Sequence, residues 1–246
     1  MKAVVFGGTA GIGRAIAQRL ASRGDAVFLL GRDAASLERS AADLTARHPT
    51  QARSAWALCN LEDPTGFAAA LDAADTSLGG FDAVIVTAGM FATQAQLEAD
   101  IELTRRLTTA NFGNTVTFCE HARTRLLKRG GGWLTVLSSV AGDRGRKPVA
   151  IYGASKSGLS TYLEALDHKY RVSGLWVLCV KPGFVKTGMT AGLKTPPFAG
   201  EPDGVARDIV TAMDRKRPLI YSPSIWRLVM LVIKNLPRAI MRRIDF

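Results

Sequence analysis

Tyr152 and Lys156 stand four residues apart in YGASK, downstream of a serine pair and a basic loop in the stretch SSVAGDRGRKPVAIYGASKSG. On a helix that spacing stacks the two side chains on one face, so the ammonium can sit beside the phenol. A free phenol titrates near ~10, and a neighbouring cation favours its ionised form, moving the group toward proton transfer near neutrality. An exposed helical pair would show the same spacing. The pair implies chemistry only if other groups accompany it.

The N-terminal stretch KAVVFGGTAGIGR supplies such company: Gly7, Thr9, Gly11, Ile12, Gly13 and Arg14 lie between a β-type run and a helical one. A backbone that must turn tightly and approach a pyrophosphate needs residues without Cβ, and a helix N-terminus offers amide donors with a favourable dipole. The next β-type run ends in FLLGRD, placing Gly31 and Arg32 where an acid would meet the ribose hydroxyls of NAD. Guanidinium groups at Arg32 and Arg14 suit a 2′-phosphate, so NADP(H) is the expected cofactor, and Asp33 keeps NAD(H) open.

These residues need a frame. Short β-type runs (KAVVF, AVFLLG, SAWALC, DAVIVTAG, WLTVLSS, LWVLCVKPG and PLIY) alternate with helical stretches, including 112–128, 152–170 and 203–215. That alternation predicts right-handed βαβ units: an α/β, Rossmann-like, doubly wound parallel sheet of seven strands with helices on both faces, in a single domain. Residues 1–222 would form the dinucleotide-binding and catalytic part, and 223–246 a basic amphipathic tail of the same domain.

At 47% hydrophobic and 22% charged, the 246 residues have an ordinary globular composition. The net charge is +11, but the cations are scattered, which disfavours nucleic acid and leaves anionic ligands, membrane surfaces or simply a basic, inert surface. Cys59, Cys119 and Cys179 form no CxxC pair, and His48, His121 and His168 show no ligand spacing, so no metal is expected. The opening MKAVVFGG is neither a secretory signal nor a span, which predicts a cytoplasmic protein.

Together the motifs resemble the short-chain dehydrogenase/reductase family in its compact form, over essentially the whole chain. The resemblance rests on Gly7-x-x-x-Gly11-x-Gly13, Asn111 in TTANFGNTV, Ser139 in WLTVLSS, Tyr152–Lys156, and Pro182–Gly183 in VKPGFVKT. It implies hydride transfer between a nicotinamide and a carbonyl or secondary alcohol. Tyr152 would be the general acid or base, and Lys156 would lower its pKa and hold the nicotinamide ribose. Ser139 would bond the substrate oxygen, and Asn111 would support a water-linked proton path. Val185 and Thr187 would anchor the carboxamide. Asn60, Leu61, Ala88 and Gly89 join the implied cofactor contacts, and a homodimer or homotetramer is the implied assembly.

The chain departs from the family pattern at Phe6, where a threonine is common, at Asn60 in place of an aspartate, and at Thr87-Ala88-Gly89 in place of NAG. A regulatory dinucleotide-binding protein without catalysis is a rival reading, which the intact Asn111, Ser139, Tyr152 and Lys156 oppose. A 3-ketoacyl thioester is a rival substrate.

Arg144, Arg146 and Lys147 lie between Ser139 and Tyr152, at the substrate rim in the family, where they could receive a phosphate or carboxylate or form a solvated loop. The apolar run Ile225–Ile233 is far short of the ~20 residues that cross a bilayer. With Arg227, Lys234, Arg238, Arg242 and Arg243 it fits a helix on an anionic membrane over 225–244, or a core or subunit-interface helix. Loop and tail together more loosely resemble reductases of polyprenyl-phosphate-linked 2-keto pentoses, implying a phosphate-bearing or lipid-linked ketone.

Overall fold

The strands read as apolar runs because both faces of the sheet are covered. In the computed structural model, which describes residues 1–48 and 54–245, β1 (Lys2–Phe6), β2 (Ala26–Gly31), β3 (Ala55–Leu58), β4 (Ala83–Val86), β5 (Gly132–Leu137), β6 (Leu175–Pro182) and β7 (Leu219–Ser222) form one sheet. Their order is β3-β2-β1-β4-β5-β6-β7, and every pair is parallel. The register sets Val4 beside Phe28 on one side and Val84 on the other. The chain leaves β1 toward β2 and returns to β4 on the other flank, so the crevice of a doubly wound sheet opens at the carboxyl ends of β1 and β4.

One face is covered by α1 (Gly11–Ser22), α2 (Ala34–Arg47) and α8 (Pro202–Asp214), whose Ile16, Leu20, Leu37 and Ile209 pack with Val5, Ile85 and Val180. The other is covered by α3 (Phe67–Leu78), α6 (Thr115–Lys128) and α7 (Ala150–Tyr170). Phe6 belongs to this second core: its ring centroid lies 4.7 Å from that of Phe118, which meets Phe67 edge-on at 5.3 Å. Phe6, one of the departures from the family pattern, is thus an apolar core residue.

Two helices differ from expectation. The helix expected over 112–128 begins regularly only at Thr115. Before it, α4 (Gln94–Ala99) and α5 (Ile101–Thr108) lead into a wide π-type turn, Thr109–Asn114, where the Thr115 hydroxyl donates to the Ala110 carbonyl at 2.8 Å. The tail is two helices rather than one, α9 (Ile225–Asn235) and α10 (Arg238–Met241), because Pro237 lacks an N–H and sits in extended backbone between them. Phe246, the last residue of the expected tail, lies outside the described residues.

Candidate active site

The first βα turn is closed by contacts that only glycine permits. Gly7 has φ +89°, and a Cβ there would lie 2.6 Å from Thr87 Oγ1 and 2.8 Å from the Ala88 nitrogen. A Cβ on Gly13 would collide with the Gly7 carbonyl and Thr87 Oγ1. Thr87 itself donates to the carbonyls of Phe6 (2.9 Å) and Gly7 (3.2 Å), so it clasps the turn from β4. Gly11, at φ +49°, faces the Thr187 methyl, which would be 3.2 Å from a Cβ. The loop after β6 therefore passes over the start of α1, whose N-cap Ala10 makes no side-chain cap. Thr9 and Ile12 are half-buried beside this turn. Backbone amides, a helix dipole and no Cβ in the cradle fit a pyrophosphate.

At the same carboxyl edge of the sheet, just after β2, Arg32 is exposed near the Glu62 carboxylate, which is held low chiefly by its hydrogen bond from Arg106 and further by the charges of Arg106 and Arg32. Asp33 is not available in the same way: its carboxylate caps α2 by accepting the Ser36 amide at 2.8 Å. Arg14, also exposed, lies 3.6 Å from Asp43. Asn60 uses its amide oxygen to accept the Glu62 amide at 3.1 Å, and the Leu61 carbonyl accepts Asn114 Nδ2 at 2.8 Å, tying this corner to the π-type turn.

Ser139, Tyr152 and Lys156 converge beyond β5. The Ser139 hydroxyl accepts the Ala141 amide at 3.1 Å and stands near enough to the Tyr152 phenol to oppose the rise in its pKa. Tyr152 is packed edge-on against Phe91, with ring centroids 5.2 Å apart. Lys156 is only 5% exposed; its Nζ donates to the Leu137 carbonyl at 3.0 Å and lies 5.9 Å from the centroid of the Tyr152 ring. Burial governs both titrations, pushing the phenol up to about 12, against a smaller lowering from Ser139, and the ammonium down to about 8. Contrary to expectation, the surroundings of the resting phenol raise its pKa rather than lower it, because burial outweighs the lowering from Ser139.

Asn111, fully buried in the π-type turn, is paired at both ends of its amide: Oδ1 accepts the Met90 N–H at 2.7 Å, and Nδ2 donates to the Met90 carbonyl at 2.8 Å. Ala88 and Gly89 precede that residue, and a Cβ on Gly89 would stand 3.3 Å from Asn111 Oδ1 and 3.7 Å from Lys156 Nζ. The expected asparagine and lysine thus face the same point after β4.

After β6, buried Pro182 leads to Gly183, whose amide donates to the Ser222 carbonyl at 3.0 Å and whose Cα faces the Trp226 ring. Val185 is buried and bridges to Gly200. The Thr187 amide donates to Thr190 Oγ1 at 3.0 Å.

The three loop cations separate. Arg144 donates to the Leu236 carbonyl at 2.9 Å and Lys147 pairs with Asp245 at 2.8 Å, so both hold the chain's own C-terminal segment. Arg146 is half-buried, its pKa lowered by burial against the opposing charge of Asp143. Two of the three loop cations are thus engaged by the tail.

Several positioning residues escaped the sequence reading. Ser138 is buried; its hydroxyl donates to the Lys156 carbonyl at 2.9 Å and lies in hydrogen-bond contact with Ser160 Oγ at 2.7 Å, bracing α7. Thr87, Asp143, Lys181 and Tyr221 are others. For Thr87, Lys181 and Tyr221 the advance sign is a polar side chain at or next to the end of an otherwise apolar strand; Asp143, in a 3-10 turn, carries none. No group of three or more His, Cys, Asp or Glu able to hold a metal occurs among the described residues, and no described helix is long and apolar enough to cross a membrane.

The family model for short chain dehydrogenases matches residues 1–197. The chain belongs to that family. Short-chain dehydrogenases bind nicotinamide dinucleotides, and the chain is accordingly an oxidoreductase of this family. An uncharacterized oxidoreductase of Streptomyces coelicolor is 33% identical over 246 aligned residues, covering 98% of this chain and 94% of the relative. Carbonyl reductase family member 4 of Xenopus tropicalis is 28% identical over 218 residues, 85% of this chain and 89% of its own length. Among solved short-chain dehydrogenase folds, a variant of the actinorhodin polyketide ketoreductase with NADPH superposes at a TM-score of 0.80 with 23% identity, covering 90% of this chain and 95% of that one.

Proposed function

We propose that this short-chain dehydrogenase interconverts a carbonyl and its secondary alcohol with NADP(H), using Tyr152 to give or take the proton. The observation that carries the reading is the convergence of Ser139 and Tyr152 with a buried Lys156, whose Nζ lies 5.9 Å from the Tyr152 ring centroid and, with Asn111 Oδ1, faces Gly89. The cradle of Gly7, Gly11 and Gly13 suits the pyrophosphate, and Lys156 suits the nicotinamide ribose. Val185 and Thr187 would hold the carboxamide. When bound, the nicotinamide supplies or removes the hydride.

In the reducing direction the carbonyl π electrons pass to oxygen, and Tyr152 Oη delivers the proton that completes the alcohol. Ser139 donates to the same oxygen as its charge develops. Burial brings the Lys156 ammonium down to about 8, nearer to neutrality than an ordinary lysine. The paired amide of Asn111 fixes the Met90 segment opposite Lys156, so its support of a proton path is through position.

NADP(H) is favoured over NAD(H) because Arg32 is exposed at the end of β2 while the Asp33 carboxylate is engaged as a helix cap. The substrate reading stops at the carbonyl class: the phosphate-bearing ketone leaned on a loop whose Arg144 and Lys147 bind the tail.

The test is NADPH oxidation with a panel of soluble carbonyls, wild type against Tyr152→Phe. Turnover should fall by about 10²–10⁴ while dinucleotide binding is kept. A variant that kept most of its rate would refute the assignment, and a wild type that bound dinucleotide but reduced nothing would favour the regulatory reading.

A further inference from the structure

Helix α9 is amphipathic in an unusual sense, because both of its long faces are apolar. One packs inward, with Trp226, Val229, Met230 and Ile233 gathered around Val140 and Tyr221. The other carries Leu228, Leu231 and Val232, which are 61%, 60% and 62% exposed. These three occur at i, i+3 and i+4, so they make one stripe. Arg227 and Lys234, two turns apart, line one edge of it and are exposed. Beyond Pro237, exposed Arg238, Arg242 and Arg243 surround Ile240, itself 45% exposed. The one acid of this segment, Asp245, is paired with Lys147.

A second copy of the chain is a poor occupant for that stripe, since a two-fold contact would set these cations against themselves on a molecule of net charge +11. An anionic bilayer satisfies both features: acyl boundary for the leucines, headgroups for the arginines and lysine. With 11 residues α9 lies on such a surface and does not enter it lengthwise. Its position relates it to the site. The Trp226 ring rests on Gly183, and its Nε1 donates to the carbonyl of Phe198 (3.2 Å), so α9 is docked on the loop that carries Val185 and Thr187. Arg144 ties the end of α9 to the segment between Ser139 and Tyr152.

We propose that the outer face of α9, Leu228–Leu231–Val232 with its flanking cations, seats this protein on an anionic membrane surface beside the substrate loop. This seat does not depend on the oxidoreductase reading, whose failure would leave vesicle binding intact and abolish turnover alone.

The experiment is flotation of the full chain with phosphatidylcholine vesicles and with vesicles of three parts phosphatidylcholine to one part phosphatidylglycerol. Wild type should partition to the anionic vesicles on the order of tenfold more than to the neutral ones, less so at high salt. Leu228→Glu/Leu231→Glu should lose that recovery, and Arg227→Gln/Lys234→Gln should reduce it. Both doubles change exposed positions, so unaltered thermal melting and unaltered NADPH oxidation with a soluble carbonyl certify their folding. Equal recovery on both vesicle types, no recovery on either, or full recovery of the leucine double would overturn the proposal. So would a leucine double that lowered the oligomeric state while wild type ignored vesicles, which would make the stripe a contact between copies.

Discussion

Asp143 and Lys181 form a buried ion pair at the carboxyl end of the sheet, the carboxylate 1% and the lysine side chain 11% exposed. Asp143 ends the short 3-10 turn that Ser139 opens, and Lys181 immediately precedes Pro182–Gly183. Tyr221 completes the arrangement by donating its phenol to the other carboxylate oxygen at 2.7 Å, and burial, with Asp143, pushes that phenol up. The segment bearing the candidate oxyanion donor is thereby fastened to the strand bearing the candidate carboxamide loop.

Removing one partner should be worse than removing both. Asp143→Leu leaves an ammonium in a dry site and is expected to cost about 3–5 kcal/mol, whereas Asp143→Leu with Lys181→Met replaces the pair by apolar volume and should cost clearly less. Urea unfolding of wild type, both single variants and the double variant measures this. A double variant as unstable as the sum of the singles would show that the pair is not a coupled unit.

Much of this site was legible because its residues are chemically distinctive. Glycines at 7, 11 and 13, a tyrosine four residues before a lysine, and apolar runs of strand length each admit few uses, and the sheet that joins them follows from alternation alone. What stayed hidden depends on long-range pairing. Nothing near Asp143 in the sequence points to Lys181 or Tyr221, and nothing near Lys147 points to Asp245. Asn111 was found as a motif member, but its pairing with both main-chain groups of Met90 could not be read, since it requires the π-type turn to aim the amide at β4. The direction of the phenol's shift is hidden for a related reason: spacing reveals a nearby cation but not the burial that raises the phenol.

Cofactor choice should respond to Arg32. Losing a hydrogen-bonded cation from a phosphate typically forfeits about 1.5–3 kcal/mol, so Arg32→Ala should shrink the ratio of NADPH to NADH affinity by roughly tenfold or more. NADH affinity itself should scarcely move. Fluorescence titrations of both dinucleotides with both proteins decide the matter; an unchanged ratio, or wild type binding NADH more tightly, would remove the basis for an NADP(H) preference.

Lys156 should make the protein less stable than its fold permits near neutral pH. Its folded pKa of about 8 lies below the ordinary 10.5, so below pH 8 both states carry the proton and the buried ammonium is penalised in full. Between those values the unfolded chain binds a proton the folded chain has released, and stability rises with pH. The interval corresponds to roughly 3 kcal/mol at most. Tyr152, held up to about 12 from 10.0, acts oppositely above pH 10, as do the buried thiols Cys59, Cys119 and Cys179 above their ordinary 9.0. The difference between wild type and Lys156→Met isolates the lysine from these groups. Lys156→Met should lose activity yet gain up to about 3 kcal/mol in urea unfolding near pH 7, less the cost of the lost bond to Leu137. That advantage should shrink as pH rises from 8 toward 10.5. A variant no more stable than wild type near neutrality, or an advantage constant across the range, would mean that Lys156 is not held against its charge.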